Sequence, residues 1–505
     1  MSANLFDLFL ARAPRPDKLA FDAPDGASLT YGELFARAER AARALADCGV
    51  EPGDRVAAAL DKSPDAIVVA LACFTAGAAL LPLNPAYSLA EFEYLLADAA
   101  PALTLCRPES LGSLRELAAR RGLKAIESLG TKREGTFADK LAVAAPGFAT
   151  IERAPDDLAA ILYTSGTTGR AKGAMLTHEN LASNAFALVD LWRFTSGDAL
   201  IHALPVFHTH GLFVAVNVAL IAGATMIFQP RFDADAIVAA LPRATALMGV
   251  PTYYARLIDH PGLTREATAR MRLFVSGSAP LTAETHRRWR EKTGHAILER
   301  YGMTETGMIA SNPCDGERRP GAVGFPLPGV SLRVADPESG AMRAPGEVGV
   351  VEVKGPNVFK GYWRMPEKTA AEFRPDGYFV TGDLGLVDVD GYLHIVGRAK
   401  DLVISGGFNV YPKEVENEID AIPGVAESAV IGVPHPDLGE GVAALVVREK
   451  GASLDEPTIL AALEGRLAKY KRPKRVLFID ALPRNAMGKV EKAALREAHK
   501  GIYGG

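Results

Sequence analysis

Through the first three hundred residues, helical stretches such as YGELFARAERAARALADCGV, starting at Tyr31, alternate with short apolar runs such as RVAAAL, LAAILY, LIHALP and TMIFQP. Apolar residues three and four apart share one helical face, and a short continuous apolar run suits a strand covered on both sides. The alternation predicts α/β layers. The run 66–83, AIVVALACFTAGAALLPL, is free of charge and approaches the roughly 20 apolar residues of a membrane span. Gly77 and Pro82 interrupt it and no basic flank anchors it, so a buried helix entering a buried strand is expected instead. Segments 71–83 and 217–230 both read apolar helix, Ala-Gly, apolar strand, which fits two similar α/β halves and equally a pattern any α/β chain could produce by chance.

From about Pro320 the texture changes to short alternating strands with turn punctuation, which predicts a β-rich subdomain over 320–398. It changes again after Lys400. Pro412 stands at the first position of a predicted helix, followed by strands ESAVIGVP and GVAALVVREK, the helix TILAALEGRLAKY and the strand RVLFID. The fold class is therefore α/β, with an N-terminal domain over 1–398 and a compact α+β domain over 399–505. The joint, GRAKDLVIS, has no Pro/Gly-rich linker and predicts a short hinge.

The composition narrows the function. The 505 residues are 48% hydrophobic and 23% charged, the balance of a globular chain. Lys plus Arg number 56 against 60 Asp plus Glu, a net charge of -4, so no basic surplus exists for a nucleic-acid partner. The cysteines, Cys48, Cys73, Cys106 and Cys314, are scattered and suggest neither a disulfide scaffold nor a zinc site. With Asp7 in the opening stretch and no basic segment before an apolar one, a cytoplasmic protein without membrane contact is expected.

The sharpest local signal is Tyr163-Thr164-Ser165-Gly166-Thr167-Thr168-Gly169-Arg170-Ala171-Lys172-Gly173, directly after the strand LAAIL. Its hydroxyls, glycine amides and Lys172 suit a polyphosphate, because glycine lets backbone N–H groups approach the oxygens and lysine adds charge. The spacing is not that of a Walker loop, and a strand rather than a helix is predicted next. Standing alone, it could also be a Ser/Thr/Gly hairpin, the weaker of the two readings.

It is followed by Gly277-Ser278-Ala279-Pro280, Glu299-Arg300-Tyr301-Gly302-Met303-Thr304-Glu305, Tyr378-Phe379-Val380-Thr381-Gly382-Asp383, Gly397-Arg398-Ala399-Lys400-Asp401 and Pro483-Arg484-Asn485-Ala486-Met487-Gly488-Lys489. In this order and across nearly the whole chain, the set resembles the adenylate-forming superfamily of acyl-CoA synthetases, adenylation domains and luciferases. The resemblance implies a large N-terminal domain of two α/β subdomains plus a small β-barrel, and a smaller mobile C-terminal domain. It implies ATP and CoA as co-substrates and Mg²⁺ as cofactor. Glu305 and Thr164 would hold the metal, and Asp383 would accept the ribose hydroxyls with Arg398 beside it. Residues 164–169, Lys172, 277–279 and 299–304 would surround the nucleotide, and Lys489 would serve adenylation. Lys400 matches the hinge, and Gly406, Gly407 and Phe408 would shape the CoA tunnel after rotation. A lysine such as Lys489 is also a candidate for a lysine acetyltransferase.

The choice of acid rests on Pro205-Val206-Phe207-His208-Thr209-His210-Gly211 and on the helix LTAETHRRWREKTG. His208 fits the family's acyl-pocket gate, and His210 could cap or pack. Words such as HALPVFHTHGLFVA, MGVPTYYARL and ISGGFNVYPKEVE resemble the malonyl-CoA synthetase branch. That resemblance implies malonate as the acid, with methylmalonate tolerated. Ser278 and Met303 would line the pocket, and Arg287 would fork onto the distal carboxylate. A medium-chain or aryl acyl-CoA synthetase is the alternative.

Overall fold

The structure is a computed structural model that describes residues 2–24, 27–164, 171–485 and 488–503. The charge-free run divides as its breaks predict. Ser63 caps the Ala66 amide, Pro64 opens helix Pro64–Thr75, and Gly77 turns the chain at φ 68° into strand Ala79–Pro82, all four residues of which are buried. Ile67, Val68, Val69, Leu71 and Phe74 are each at most 3% exposed, and each such burial contributes roughly 1.5–3 kcal/mol. A side chain at Gly77 would meet Ile151 Cγ2 at 3.0 Å in a left-handed backbone, so Gly77→Val should break this junction. The echo is also structural: helix Asn217–Ala222 ends at Gly223, φ 67°, and leads into strand Thr225–Phe228. Among the described residues no helix is long and apolar enough to cross a membrane.

Strand Ala79–Pro82 belongs to a seven-stranded sheet in which Arg55–Ala59 pairs in parallel with it and with Leu103–Cys106. A nine-stranded sheet carries the parallel set Thr225–Phe228, Ala199–His202, Ala246–Gly249, Leu273–Ser276 and Leu298–Met303. Such strands are buried on both faces, which is why they read as unbroken apolar runs. The β-rich part after Pro320 contains a four-stranded antiparallel sheet of Ser331–Ala335, Gly349–Lys354, Phe379–Val387 and Leu393–Arg398. A one-turn helix, Ala399–Asp401, then leads into a five-stranded C-terminal sheet flanked by helices Pro412–Asp420, Glu456–Ala462 and Lys492–His499. The fold class is that of a large N-terminal domain followed by a small C-terminal one.

Candidate active site

Adjacent parallel strands end in register, with Met248 beside His202, Gly249 beside Ser276 and Ser276 beside Glu299. Their carboxyl ends open on one crevice, where α/β sheets place ligands. The Thr/Ser/Gly segment joins strand Leu158–Thr164 to the antiparallel strand Lys172–Thr177, so Thr164 and Lys172 sit opposite each other, with the Thr164 hydroxyl 3.5 Å from Lys172 O. The intervening Ser165, Gly166, Thr167, Thr168 and Gly169 lie outside the described residues.

Lys172 Nζ lies 4.2 Å from the centroid of the Tyr362 ring and 3.5 Å from Glu372 Oε1. Tyr362 Oη donates to Glu305 Oε1 at 3.0 Å and approaches Glu372 Oε2 at 2.7 Å. Tyr362 and Glu372 thus join the site, although no motif marks them. Tyr362 arrives on the two-residue edge strand Gly361–Tyr362, paired with Met175 and Ala174, a contact made across nearly two hundred residues. Burial pushes the Glu305 carboxyl up from its ordinary value, opposed by the Tyr362 hydroxyl and by Lys172 and Arg398. A buried carboxylate held against burial by nearby cations fits a hard divalent ion, with Thr164 as a second oxygen.

Asp383 and Arg398 are cross-strand partners, and Arg398 Nε reaches Asp383 Oδ1 at 2.6 Å while Tyr301 Oη donates to Asp383 Oδ2 at 2.5 Å. Gly302 allows a close turn, since a Cβ there would lie 2.1 Å from Gly307 O. Met303 and Thr304 follow, half-buried. Glu299 is turned the other way along its strand and accepts from Gly321 N at 2.8 Å. Its carboxyl is pushed up to about 8 by burial.

Arg300 is 3% exposed, and its Nε and Nη2 have no hydrogen-bond partner among the described residues. It packs so tightly on Gly277 that a Cβ there would meet Arg300 Cζ at 2.3 Å. Burial pushes its pKa down to about 9. Burial also pushes His208 down to about 4, with the Arg300 and Lys489 cations adding to the effect, and lowers His210 further below its ordinary value. His208 Nδ1 accepts from His210 N at 3.3 Å, and His210 Nδ1 lies 3.3 Å from Oγ of Ser278, which takes φ 72°. Ala279 follows, half-buried. Arg300, His208, His210 and Ser278 therefore form one cluster, whose positive charge is that of Arg300.

Arg287 stands elsewhere. It lies on the outer face of helix Ala283–Thr293, its side chain 56% exposed, with Nη2 on Glu284 Oε1 and Nη1 on Glu291 Oε1, both at 2.6 Å. Its fork is already filled at the surface, and the arginine buried near His208 and Gly277 is Arg300. Arg288, on Asp259 at 2.7 Å, is also a surface pair.

From the C-terminal domain comes Lys489. Its side chain keeps contact with solvent, yet its ammonium sits at the domain junction. Desolvation there, with Arg398 and Lys400 adding and Asp383 and Asp401 opposing, holds its pKa below the usual lysine value. A Cβ on the preceding Gly488 would come within 3.4 Å of Thr252 Oγ1, so the lysine loop rests on the large domain. Lys400 lies in the turn Ala399–Asp401 between the domains. The structure does not bring Gly406, Gly407 and Phe408 to the crevice. The two glycines take φ 58° and 81° in a hairpin whose Phe408, 56% exposed, stacks on Tyr470 at 4.8 Å within its own domain.

Residues 9–363 match the AMP-binding enzyme model and residues 414–489 the AMP-binding enzyme C-terminal domain model. ATP-bound MatB from Rhodopseudomonas palustris is 60% identical and aligns at a TM-score of 0.97, with both chains covered completely. Apo MatB from the same organism, also 60% identical and completely covered, aligns at 0.87. The feruloyl-CoA synthase of Amycolatopsis sp is 39% identical over 93% of this chain and 94% of its own. The malonate--CoA ligase of Arabidopsis thaliana is 35% identical over 98% of this chain and 89% of its own. The expectation of a lysine acetyltransferase partner is not borne out by these likenesses, which concern ATP, CoA and carboxylic acids.

Proposed function

Because the chain belongs to the AMP-binding enzyme family, we propose that it is an AMP-forming acyl-CoA synthetase that joins malonate to CoA, releasing AMP and pyrophosphate through a malonyl-adenylate. The observation that carries the choice of acid is Arg300, a buried guanidinium with unpartnered donors beside His208. A monocarboxylate would leave that cation unanswered, whereas the distal carboxylate of malonate, or of methylmalonate, forks onto it.

In the first half-reaction a carboxylate oxygen of malonate bonds to the α-phosphorus of ATP while the bond to the pyrophosphate oxygen breaks. Anion meets anion, so the chain must fix the partners in line and set cations around the developing charge. Arg300 and His208 hold the acid; His208 is neutral at ordinary pH and therefore orients by hydrogen bonding. Lys172 and the Thr164 end of the hairpin face the phosphates. Tyr301 and Arg398 pre-set the Asp383 carboxylate that receives the ribose hydroxyls. Glu305 and Thr164 would hold Mg²⁺, which supplies positive charge to the phosphate oxygens. Lys489 adds its ammonium as charge grows, helping the transition state more than the ground state. The nearer match to ATP-bound than to apo MatB supports reading this arrangement as the adenylating one.

In the second half-reaction the CoA thiol attacks the acyl carbon and AMP leaves. Rotation about Lys400 would withdraw Lys489 and bring Gly406, Gly407 and Phe408 to the pantetheine path. The test is pyrophosphate release by purified protein with malonate, methylmalonate, propionate, octanoate and ferulate. Malonate should lead by kcat/KM, and a lead for octanoate or ferulate would move the protein to the aryl or medium-chain reading.

A further inference from the structure

Lys489 is tied to Asn485 within its own segment and, through Arg484, to the sheet of its domain. Asn485 N donates to Lys489 O at 3.0 Å, Lys489 N to Asn485 Oδ1 at 3.1 Å, and Gly488, at φ 73°, donates to Asn485 O at 2.8 Å. Arg484 and Val490 close the base as an antiparallel bridge. The guanidinium of Arg484 has acceptors on two different elements. Nη1 donates to Gly488 O at 2.6 Å, the carbonyl that precedes the lysine, and Nη2 donates to Glu427 Oε2. Glu427 belongs to strand Val425–His435, beside a register shift between Val425 and Glu427. Such a bulge re-aims a side chain out of the ladder.

A guanidinium is a flat, rigid fork, and two acceptors on different elements fix its plane, whereas one acceptor leaves it free to swing. Neither Arg484 nor Glu427 is among the groups that act on the site directly, yet together they tie the carbonyl before Lys489 to the sheet of the C-terminal domain. We propose that Glu427 is a positioning residue for adenylation, acting through Arg484 to fix the loop that carries Lys489. The inference rests on the reading of Lys489 as the adenylating lysine. It predicts a defect in one half-reaction only, because acyl transfer proceeds with Lys489 withdrawn.

Glu427→Gln keeps the shape and removes the charge that anchors the fork. Malonate-dependent ATP–pyrophosphate exchange should fall roughly tenfold to a hundredfold, the range that about 1 Å of misplacement produces, while thioester formation from supplied malonyl-adenylate and CoA stays within about twofold of the parent. Arg484→Lys separates positioning from simple stabilisation: one ammonium can retain the ion pair with Glu427, and with it the melting temperature, but cannot also fix the Gly488 carbonyl. Exchange should fall while melting does not. Lys489→Ala is run beside both. If it abolishes exchange and the Glu427 and Arg484 variants leave exchange intact, or lose both half-reactions equally, the inference is overturned while the reading of Lys489 stands. If Lys489→Ala leaves exchange intact, that reading itself is overturned and the inference goes with it.

Discussion

Replacing Arg300 by Met should make the protein more stable and a worse malonate enzyme at once. Arg300 is almost fully buried with two donor groups unpartnered among the described residues, and burial pushes its pKa more than three decades below the ordinary guanidinium value, to about 9. At about 1.4 kcal/mol per tenfold change in proton affinity, holding the charged form there destabilises the empty protein by up to roughly 5 kcal/mol, and relaxation reduces this to a few. The sign follows from the depressed basic pKa: the penalty is fully present below about pH 9 and fades only above it. Met fills similar volume without a charge, so the melting temperature of the ligand-free protein should rise by several degrees. With malonate bound, the same substitution strands a carboxylate without its partner, a loss on the order of 3–5 kcal/mol, or about a hundredfold to several thousandfold in kcat/KM. Propionate, which lacks the second carboxylate, should lose little or gain. Arg300→Lys should recover only part of the malonate activity, because an ammonium cannot fork. Arg287→Ala, which breaks only exposed pairs with Glu284 and Glu291, should be nearly silent. Equal losses for malonate and propionate in Arg300→Met, or a malonate-selective loss in Arg287→Ala, would refute this reasoning.

Lys489→Ala should reduce adenylation by several orders of magnitude yet leave transfer from supplied malonyl-adenylate nearly intact, as read by pyrophosphate exchange against thioester formation. Lys400→Pro should trap one arrangement of the domains, so that exchange survives and overall thioester synthesis fails; full overall activity would move the hinge elsewhere. Burial depresses His178 to about 4, His202 to about 3 and His208 to about 4. These are bases with lowered folded pKa values, so stability should be complete above about pH 6.5 and fall as pH drops through the window from 6.5 to 3. His202→Gln should flatten the slope of stability against pH by about one proton, measured by denaturant titration between pH 7 and 4.

The words that carry the nucleotide site are local, which is why they could be read from the chain. Glu305, Asp383 and Lys489 each stand in a run of small and polar residues whose spacing is part of their chemistry, and the parallel strands announce themselves as unbroken apolar runs. The arginines show where this stops. Arg287 and Arg300 lie on successive elements that follow Gly277 and Ser278 in the chain, and from the sequence both are plausible forks for a carboxylate. The separating signal was present: Glu284, Arg287 and Glu291 are spaced three and four apart, the pattern of a solvated helical ion-pair ladder. Arg300 follows the buried Leu298 by two on a strand, on the face opposite Glu299. Tyr362 and Glu372 carried no such signal, because their role depends on an edge strand meeting Lys172 and Glu305 from far along the chain.

The site holds its positive charge in two ways, and the difference bears on how the reaction turns over. Arg300 is fixed in the large domain with two neutral imidazoles near it, and desolvation penalises its charge until the opposite charge of an anion arrives. Malonate and ATP bring that charge, so binding relieves a penalty already present in the empty protein. Lys489 belongs to the other domain, and its segment's rest against Thr252 and the field of Asp383 bring it to the site. A lysine anchored in the large domain would go on attracting the phosphate of AMP after pyrophosphate had left, and would occupy the approach that the thiol needs. On the proposed reading, carrying it on a domain joined by the turn Ala399–Asp401 would let rotation of that domain end its pull on the phosphate and clear that approach. Stabilisation by Lys489 would then be confined to the step in which negative charge develops on phosphorus.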